Sequence, residues 1–513
     1  MSFADYLPSN MSFSVAEITD YLSNNIYSSA IGLALVLYLI AVIRRRNSPL
    51  SKIPTVGPTG IITSRIGILR TLKNGGQLIQ EGYEKYPIFK IRTPFSWFVI
   101  VAGPQHLEDM RRANDDQMSF LAALNQMTQF DYTISPRLKA DDCHIKVVRG
   151  VMTKNIGPRY DDVMDEINKS LDSILAGADK DWVDIPVYTS MGQLVSRFST
   201  RFFVGPELSS NPKYTEIMEA YAAHVVKHGA VLSVLPNWLR PLVSRLQFDT
   251  VSKIREIEDY LRPVIEKRLE RGVMGSPDAD SNDMITWLWN GADKPQRTAH
   301  DIAIRMIWLN IAAIRTTSQV LTSVLFNLAA YPSYIEPLRA EISSIIDEEG
   351  WSKVSIEKMK KLDSFVKESQ RHHTSFAVSR RIAVNDFTFS DGTFIPKGTS
   401  FAVAGRSLNW DERVYSNPDE FQGFRFVDMD PHKFQMTSLS LEYMGFGIGK
   451  RACPGRFFAV AELKTVIAKI LMEYDIKLTD EAAGRPKDSV FAGIFVDPNK
   501  SAKVSLKKRL LVV

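Results

Sequence analysis

The sequence predicts a mainly α (α+β) protein in which an N-terminal transmembrane helix precedes one large body built around a long central helix. Three features carry this reading. A charge-free run from Leu22 to Ile43 is followed at once by Arg44, Arg45 and Arg46. An apolar stretch of helical character extends from about Asp301 to Ala329. Near the C-terminus the loop Phe446-Gly447-Ile448-Gly449-Lys450-Arg451-Ala452-Cys453-Pro454-Gly455 stands directly before a second long apolar helix.

The run from Leu22 to Ile43 is long enough to span a bilayer, and the arginines behind it keep their end on the cytosolic side. A cleaved signal peptide needs basic residues before its apolar core, whereas only Asp5, Glu17 and Asp20 carry charge there. Residues 1–21 are therefore expected as a short lumenal N-terminus, 22–43 as the anchor and 44–60 as a basic, proline-rich linker. On the lumenal side Asn10-Met11-Ser12 makes Asn10 a glycan acceptor. Pro49, Pro54 and Pro58 favour an extended, stiff connection to the body.

Length alone would suggest about three domains. No repeat, low-complexity stretch or obvious linker divides residues 61–513, so they are expected to form one unit. The net charge of +5 is too small to point to nucleic acid. Two cysteines, Cys143 and Cys453, are too few for a disulfide framework, which fits a reducing compartment. Cys143 reads as a small buried thiol. The polar segment Arg271 to Thr298, with its Gly and Pro, reads as a surface connection ahead of the central helix.

Within that helix Ala312 and Thr316 share a face, as do Ala313 and Thr317, so small side chains lie beside two hydroxyls. The pattern suits a chamber wall with hydroxyls at its edge, and equally a buried helix whose threonines bond back to their own carbonyls. In the helical stretch Ile356 to His373, Glu368 and Arg371 lie three apart and can pair with each other and a third group. In the C-terminal loop the glycines let the backbone approach the Cys453 sulfur, so its thiolate can be the axial ligand of a haem iron, with Arg451 near a propionate. A buried structural cysteine after a glycine turn is the alternative. No histidines, His372 and His373 included, have metal-site spacing.

Phe446, Gly449, Arg451, Cys453 and Gly455 fit Phe-x-x-Gly-x-Arg-x-Cys-x-Gly. With the Glu368-to-Arg371 motif and the small-residue strip upstream in the expected order, the chain resembles the cytochrome P-450 superfamily, microsomal and fungal in type. The resemblance implies the P-450 fold, with a long oxygen-binding helix and smaller β-sheets, and heme b held through the Cys453 thiolate. Phe446, Gly449, Arg451 and Gly455 would surround that ligand. The run Cys143 to Arg149 is similar to the family helix that supplies a propionate arginine, which implies Arg149, with His144 beside it, although Ile145 stands where a tryptophan is common. Arg425, in Asn417 to Phe426, would close a Glu368–Arg371–Arg425 cluster bracing the ligand loop. Ala312, Ala313, Thr316 and Thr317 would serve dioxygen and its protons. The pocket would be lined by Phe120, Leu121, Asn310, Phe376, Ala377, Val378, Phe491 and Ile494.

Two positions depart from the family pattern: Ala313 replaces a glycine and Arg315 an acid. This version is similar to fungal members that oxidise terpenoids and other secondary metabolites. An arginine stays charged at neutral pH, so proton delivery falls to Thr316 and water, and Arg315 should turn away to a carboxylate or to carbonyls.

The resemblance thus implies a monooxygenase of the endoplasmic reticulum membrane, single-pass, with a cytosolic catalytic domain. It would insert one oxygen atom from dioxygen into a hydrophobic small molecule. No flavin domain accompanies it, so electrons are expected from NADPH-cytochrome P-450 reductase, with or without cytochrome b5. Lys450, Arg456, Lys464 and Lys469 would offer the acidic partner a basic face. Two other readings remain: an oxygen-independent haem-thiolate isomerase or dehydratase, against which Thr316 counts, and a non-catalytic haem sensor.

Overall fold

The computed structural model describes residues 48–58, 60, 63–93, 96–247, 249–274, 281–430 and 435–510. The expected span 22–43, the arginines 44–46 and the Asn10 acceptor lie outside them. Among the described residues no helix is long and apolar enough to cross a membrane.

The helices that position the site are α1 (Thr63–Tyr83), α2 (Pro104–Arg112), α3 (Phe120–Thr128), α4 (Cys143–Val147), α5 (Tyr160–Ile174), α6 (Val187–Ser209), α7 (Pro212–Val234), α8 (Thr250–Glu270), α9 (Met284–Gly291), α10 (Ala299–Ala330), α11 (Ile335–Glu349), α12 (Lys360–His372) and α13 (Arg456–Glu473). The central helix α10 starts where Thr298 accepts a bond from the Asp301 amide, a side-chain cap that satisfies one free donor of the first turn. Apolar on most sides, it is enclosed by α6, α8, α12 and α13. Leu321, Val324, Leu325, Phe326 and Leu328 are fully buried there. Each such side chain contributes about 1.5–3 kcal/mol by leaving water.

The main sheet has five strands in the order β1 (Ile88–Arg92), β2 (Trp97–Val101), β8 (Ser400–Ala404), β5 (Ala377–Ala383) and β3 (Met118–Ser119). The β2–β8 pair is parallel and the others are antiparallel. Phe89, Ile91, Phe98 and Ile100 on its inner face bury Leu78 and Ile79 of α1. The proline-rich linker ends against this sheet: the Pro54 carbonyl accepts from the Lys90 amide at 2.8 Å, and Lys90 Nζ reaches Leu50 O at 2.6 Å. A smaller sheet joins β4 (Val183–Pro186), β12 (Lys503–Lys508) and β9 (Tyr474–Leu478). Two hairpins, β6 (Phe387–Thr388) with β7 (Phe394–Ile395) and β10 (Ser489–Phe491) with β11 (Phe495–Asp497), complete the strands among the described residues.

Two expectations are corrected. The segment Arg271 to Thr298 is not all surface: Met284, Ile285, Trp287 and Leu288 of α9 are buried, and Asp283 caps that helix while pairing with Arg268 at 2.7 Å. The polar residues around it masked a short apolar core element. The stretch Ile356 to His373 is not one helix, since Met359 leaves helical geometry (φ −70°, ψ 88°) between Lys358 and Lys360.

Candidate active site

The loop that carries Cys453 is shaped by two glycines in left-handed backbone, Gly447 (φ 75°) and Gly449 (φ 63°). At Gly449 a Cβ would lie 2.3 Å from the Arg111 carbonyl at the end of α2, so both conformation and contact exclude a side chain. The Cys453 amide donates to Phe446 O at 2.8 Å and closes the loop, and Arg456 Nη1 donates to Cys453 O at 3.1 Å. Burial pushes the Cys453 thiol above its ordinary value, and the Gly455 amide and the Arg456 charge oppose that shift. Behind α4, Arg149 Nη2 donates to Lys450 O at 3.0 Å, and Val148 lies 3.7 Å from a Cβ placed on Gly455. The segment Val147–Met152 therefore closes one side of the cysteine loop.

Glu368, Arg371 and Arg425 meet. Glu368 and Arg371 are fully buried, with Arg371 Nε and Nη2 donating to the two carboxylate oxygens at 2.6 and 2.8 Å. Arg425 Nε at 3.1 Å and the Gln422 amide at 3.0 Å add to Oε1. Burial alone would raise the Glu368 carboxyl; Arg371, the Gln422 amide and Arg425 outweigh it and hold it below its ordinary value. The remaining guanidinium protons go to the carbonyls of Asn409, Pro418, Ser416, Asn417 and Glu420. On α12, next to Arg371, Gln370 Nε2 reaches Gly445 O at 3.4 Å and its oxygen accepts from Tyr443, so the cluster's helix touches the chain leading into the cysteine loop.

Along α10 burial is interrupted at one place. Residues on both sides are largely buried, whereas Ala312, Arg315 and Thr316 are exposed and Ala313 is half-buried. Thr316 Oγ1 donates to Ala312 O at 2.8 Å, and Thr317 is buried. Arg315 turns to Asp497 on β11, Nη2 to Oδ2 at 3.3 Å. The open turn belongs to a helix packed against α13, which begins directly behind Cys453.

The other expected residues have their own surroundings. His144 is buried with Nδ1 3.1 Å from Arg305, which also pairs with Asp301 at 2.6 Å and Asp141 at 2.7 Å. Burial and then the Arg305 charge push that imidazole down to about 4, so it is a neutral acceptor within a polar cluster. Arg451 is ion-paired with Asp115 and lies 3.5 Å from Asp142. Of the pocket candidates, Phe120 and Leu121 begin α3 half-buried, while Ala377 and Ile494 are buried against α1. Phe376 covers Gly76 of α1, Val378 covers Gly405, and buried Asn310 Nδ2 bonds back to Met306 O at 2.9 Å. Phe491 is 65 % exposed on the hairpin edge and does not join that apolar group. Lys464 is buried on Asp363 at 3.2 Å and Lys469 is held by Glu473, so neither offers a docking charge.

The structure adds two residues. On β5 Arg381 is buried and Arg380 half-buried, and neither forms an ion pair among the described residues. Burial pushes both guanidiniums down to about 10 with no carboxylate set against it. Arg380 stacks on Phe98 at 5.0 Å with Nε unbonded, and Arg381 stands over Phe120 at 5.4 Å. Arg381 Nη1 donates to Arg380 O at 2.9 Å, and two enclosed cations with no carboxylate beside them suit an anion from outside the chain. Heme b fits that donor set: a cysteine sulfur in a glycine loop, cations without a described carboxylate partner for its propionates, and an open helix turn.

Fold and site thus define a mainly helical haem-thiolate protein. The Cytochrome P450 family model matches residues 59–506, and the chain belongs to that family. It is 38 % identical over 474 residues to cytochrome P450 monooxygenase 151 of Postia placenta, covering 90 % of this chain and 95 % of that one. To cytochrome P450 monooxygenase hepE of Aspergillus oryzae it is 34 % identical, covering 89 % and 86 %. To ent-kaurene oxidase P450-4 of Gibberella fujikuroi it is 30 % identical over 503 residues, covering 94 % and 97 %. The protein is accordingly a monooxygenase that binds heme b through a cysteine thiolate and incorporates one oxygen atom.

Proposed function

We propose that the chain is a membrane-anchored monooxygenase of hydrophobic small molecules, terpenoids or related secondary metabolites, in which Cys453 is the thiolate ligand. The observation that carries this reading is the exposed turn Ala312–Thr316 on an otherwise enclosed helix packed against α13. Heme b supplies oxygen activation, favoured by the electron push of the thiolate. Arg380 and Arg381, with Arg149 at the loop, would hold its acidic edge. Ala312 and Ala313 keep side-chain volume away from the open turn. Thr316 is placed to exchange its bond to Ala312 O for one to water and so to carry protons. Arg315 keeps its charge on Asp497 and out of that relay. The terpenoid class is supported by the likeness to an ent-kaurene oxidase.

Anchoring by residues 22–43, with Asn10 glycosylated in the lumen, is supported by the charge pattern around that run. It is supported further by an apolar stripe in the body: Trp238, Leu242 and Leu246 recur every fourth residue and are 78 %, 53 % and 76 % exposed. Electrons come from NADPH-cytochrome P-450 reductase, with or without cytochrome b5, and the exposed cations Lys146 and Lys450 beside the cysteine loop suit an acidic partner. The test is expression in yeast microsomes with a reductase, under labelled dioxygen, against a panel of terpene scaffolds. One labelled oxygen atom in a product is the expected result. An unlabelled isomerised or dehydrated product, or stable haem with no product from any scaffold, would refute the reading.

A further inference from the structure

The hairpin β10–β11 is tied down at both feet. At its start Asp488 accepts from His373 Nδ1 at 2.8 Å and from Arg485 at 3.1 Å. Arg485 in turn donates to Asn327 Oδ1, near the end of α10, at 2.6 Å. At its finish Asp497, opposite Ser489 in the strand register, is buried. It receives Gln319 Nε2 at 2.7 Å, Arg315 at 3.3 Å and Lys500 at 2.9 Å. Arg315 and Gln319 are one turn apart on α10, so they grip one carboxylate from a single face. From residue 315 to 327 these attachments span about 18 Å of helix.

Between the feet the hairpin has little freedom. Phe376 N donates to Ile494 O and Val496 N to Ser375 Oγ, each at 3.0 Å. Gly493 (φ 72°) lies so close to α1 that a Cβ would meet the Thr71 carbonyl at 1.9 Å. The outer contacts set the hairpin's height, while among the hydrogen bonds and ion pairs of the described residues Asp497 ties it to the turn that carries Thr316.

We propose that Asp497 is a positioning residue: by holding Arg315 and Gln319 it fixes the β10–β11 hairpin against the open turn of α10 and so sets how much room a bound molecule has above that turn. This account rests on the reading of Ala312–Thr316 as the reaction site. It also gives the unusual Arg315 a task, as the α10 half of a clamp whose other half lies 182 residues away.

The test uses the haem-loaded protein and two nitrogen ligands read by their spectral shift, imidazole and the bulkier 4-(biphenyl-4-yl)imidazole. Asp497→Asn keeps an oxygen for Gln319 and removes the ion pair; Arg315→Gln removes it from the helix side, at a side chain 44 % exposed and so tolerant of change. In each variant the imidazole Kd should stay within about twofold while the bulky-to-small ratio shifts at least fivefold. Amide exchange over residues 489–497 should rise at least tenfold, and the charge-exchanged pair Arg315→Asp with Asp497→Arg should recover most of both losses. An unchanged ratio with unchanged exchange in either haem-loaded variant would overturn the proposal. Absence of a thiolate-type spectrum in the unmodified protein would instead strike the functional reading itself.

Discussion

Replacing Glu368 by Gln removes the negative charge set between Arg371 and Arg425. The carboxylate accepts four bonds, two from Arg371, one from Arg425 and one from the Gln422 amide. Glutamine keeps one acceptor oxygen and turns an NH2 group toward a guanidinium donor, leaving Arg371 buried without its counter-charge. Breaking a buried pair from one side costs about 3–5 kcal/mol, against a net stability of about 5–15 kcal/mol for a folded protein. The change should therefore sharply reduce folded, haem-loaded protein and lower the unfolding midpoint, although the hydrogen bonds of Glu368 go to Arg371, Gln422 and Arg425 and not to the Cys453 loop. Its pH dependence has a definite sign. Because the folded carboxyl lies below its ordinary value, its stabilisation is present above the unfolded pKa of about 4.3 and is lost as pH falls through the folded value. The variant should lack that acid-range loss. Haem content and thermal unfolding from pH 3 to 7 measure both effects; equal midpoints and equal haem for wild type and variant would refute the bracing role.

Glu462 should behave in the opposite way. It is buried on α13 with Oε1 unbonded, and burial drives its carboxyl far above the ordinary range. The unfolded carboxyl ionises above about 4.3 while the folded one does not, so stability falls as pH rises from there, and Glu462→Gln should raise the midpoint at pH 7 but not at pH 4. Removing residues 1–46 should release much of the protein from membranes with haem incorporation intact, and the remainder should be freed by Trp238→Ser with Leu246→Ser; a truncated protein held wholly on membranes despite those changes would place the contact elsewhere. Thr316→Ala should raise NADPH consumption and peroxide release per product at unchanged haem content, and unchanged coupling would remove Thr316 from proton delivery.

How much of this was legible depended on how local each signal was. The cysteine loop could be read because its glycines answer to backbone geometry within ten residues, and Gly449 has a close contact that explains its identity. Glu368 and Arg371 announced themselves as a helix pair, and Arg425 followed only from the resemblance. The carboxylate that Arg315 turns to could be anticipated in kind and not in place, because Asp497 stands on a distant hairpin. Arg380 and Arg381 were missed outright: adjacent arginines in a strand look like solvated surface until neighbouring aromatic rings enclose them. His144 and Lys464 were misjudged for the converse reason, since Arg305 and Asp363 approach them from elements remote in sequence. Buried charge is decided by tertiary neighbours, which a helix pattern does not reveal.

The measurement that bears most directly on the whole account is the carbon monoxide difference spectrum of the reduced protein with Cys453 intact and with Cys453→Ala, each normalised to total haem. Cys143, the other cysteine, is buried on α4. The account predicts a thiolate-type carbonyl band in the wild type and none in the variant. A variant that kept the band would contradict Cys453 as the iron ligand, and with it the site built around that loop.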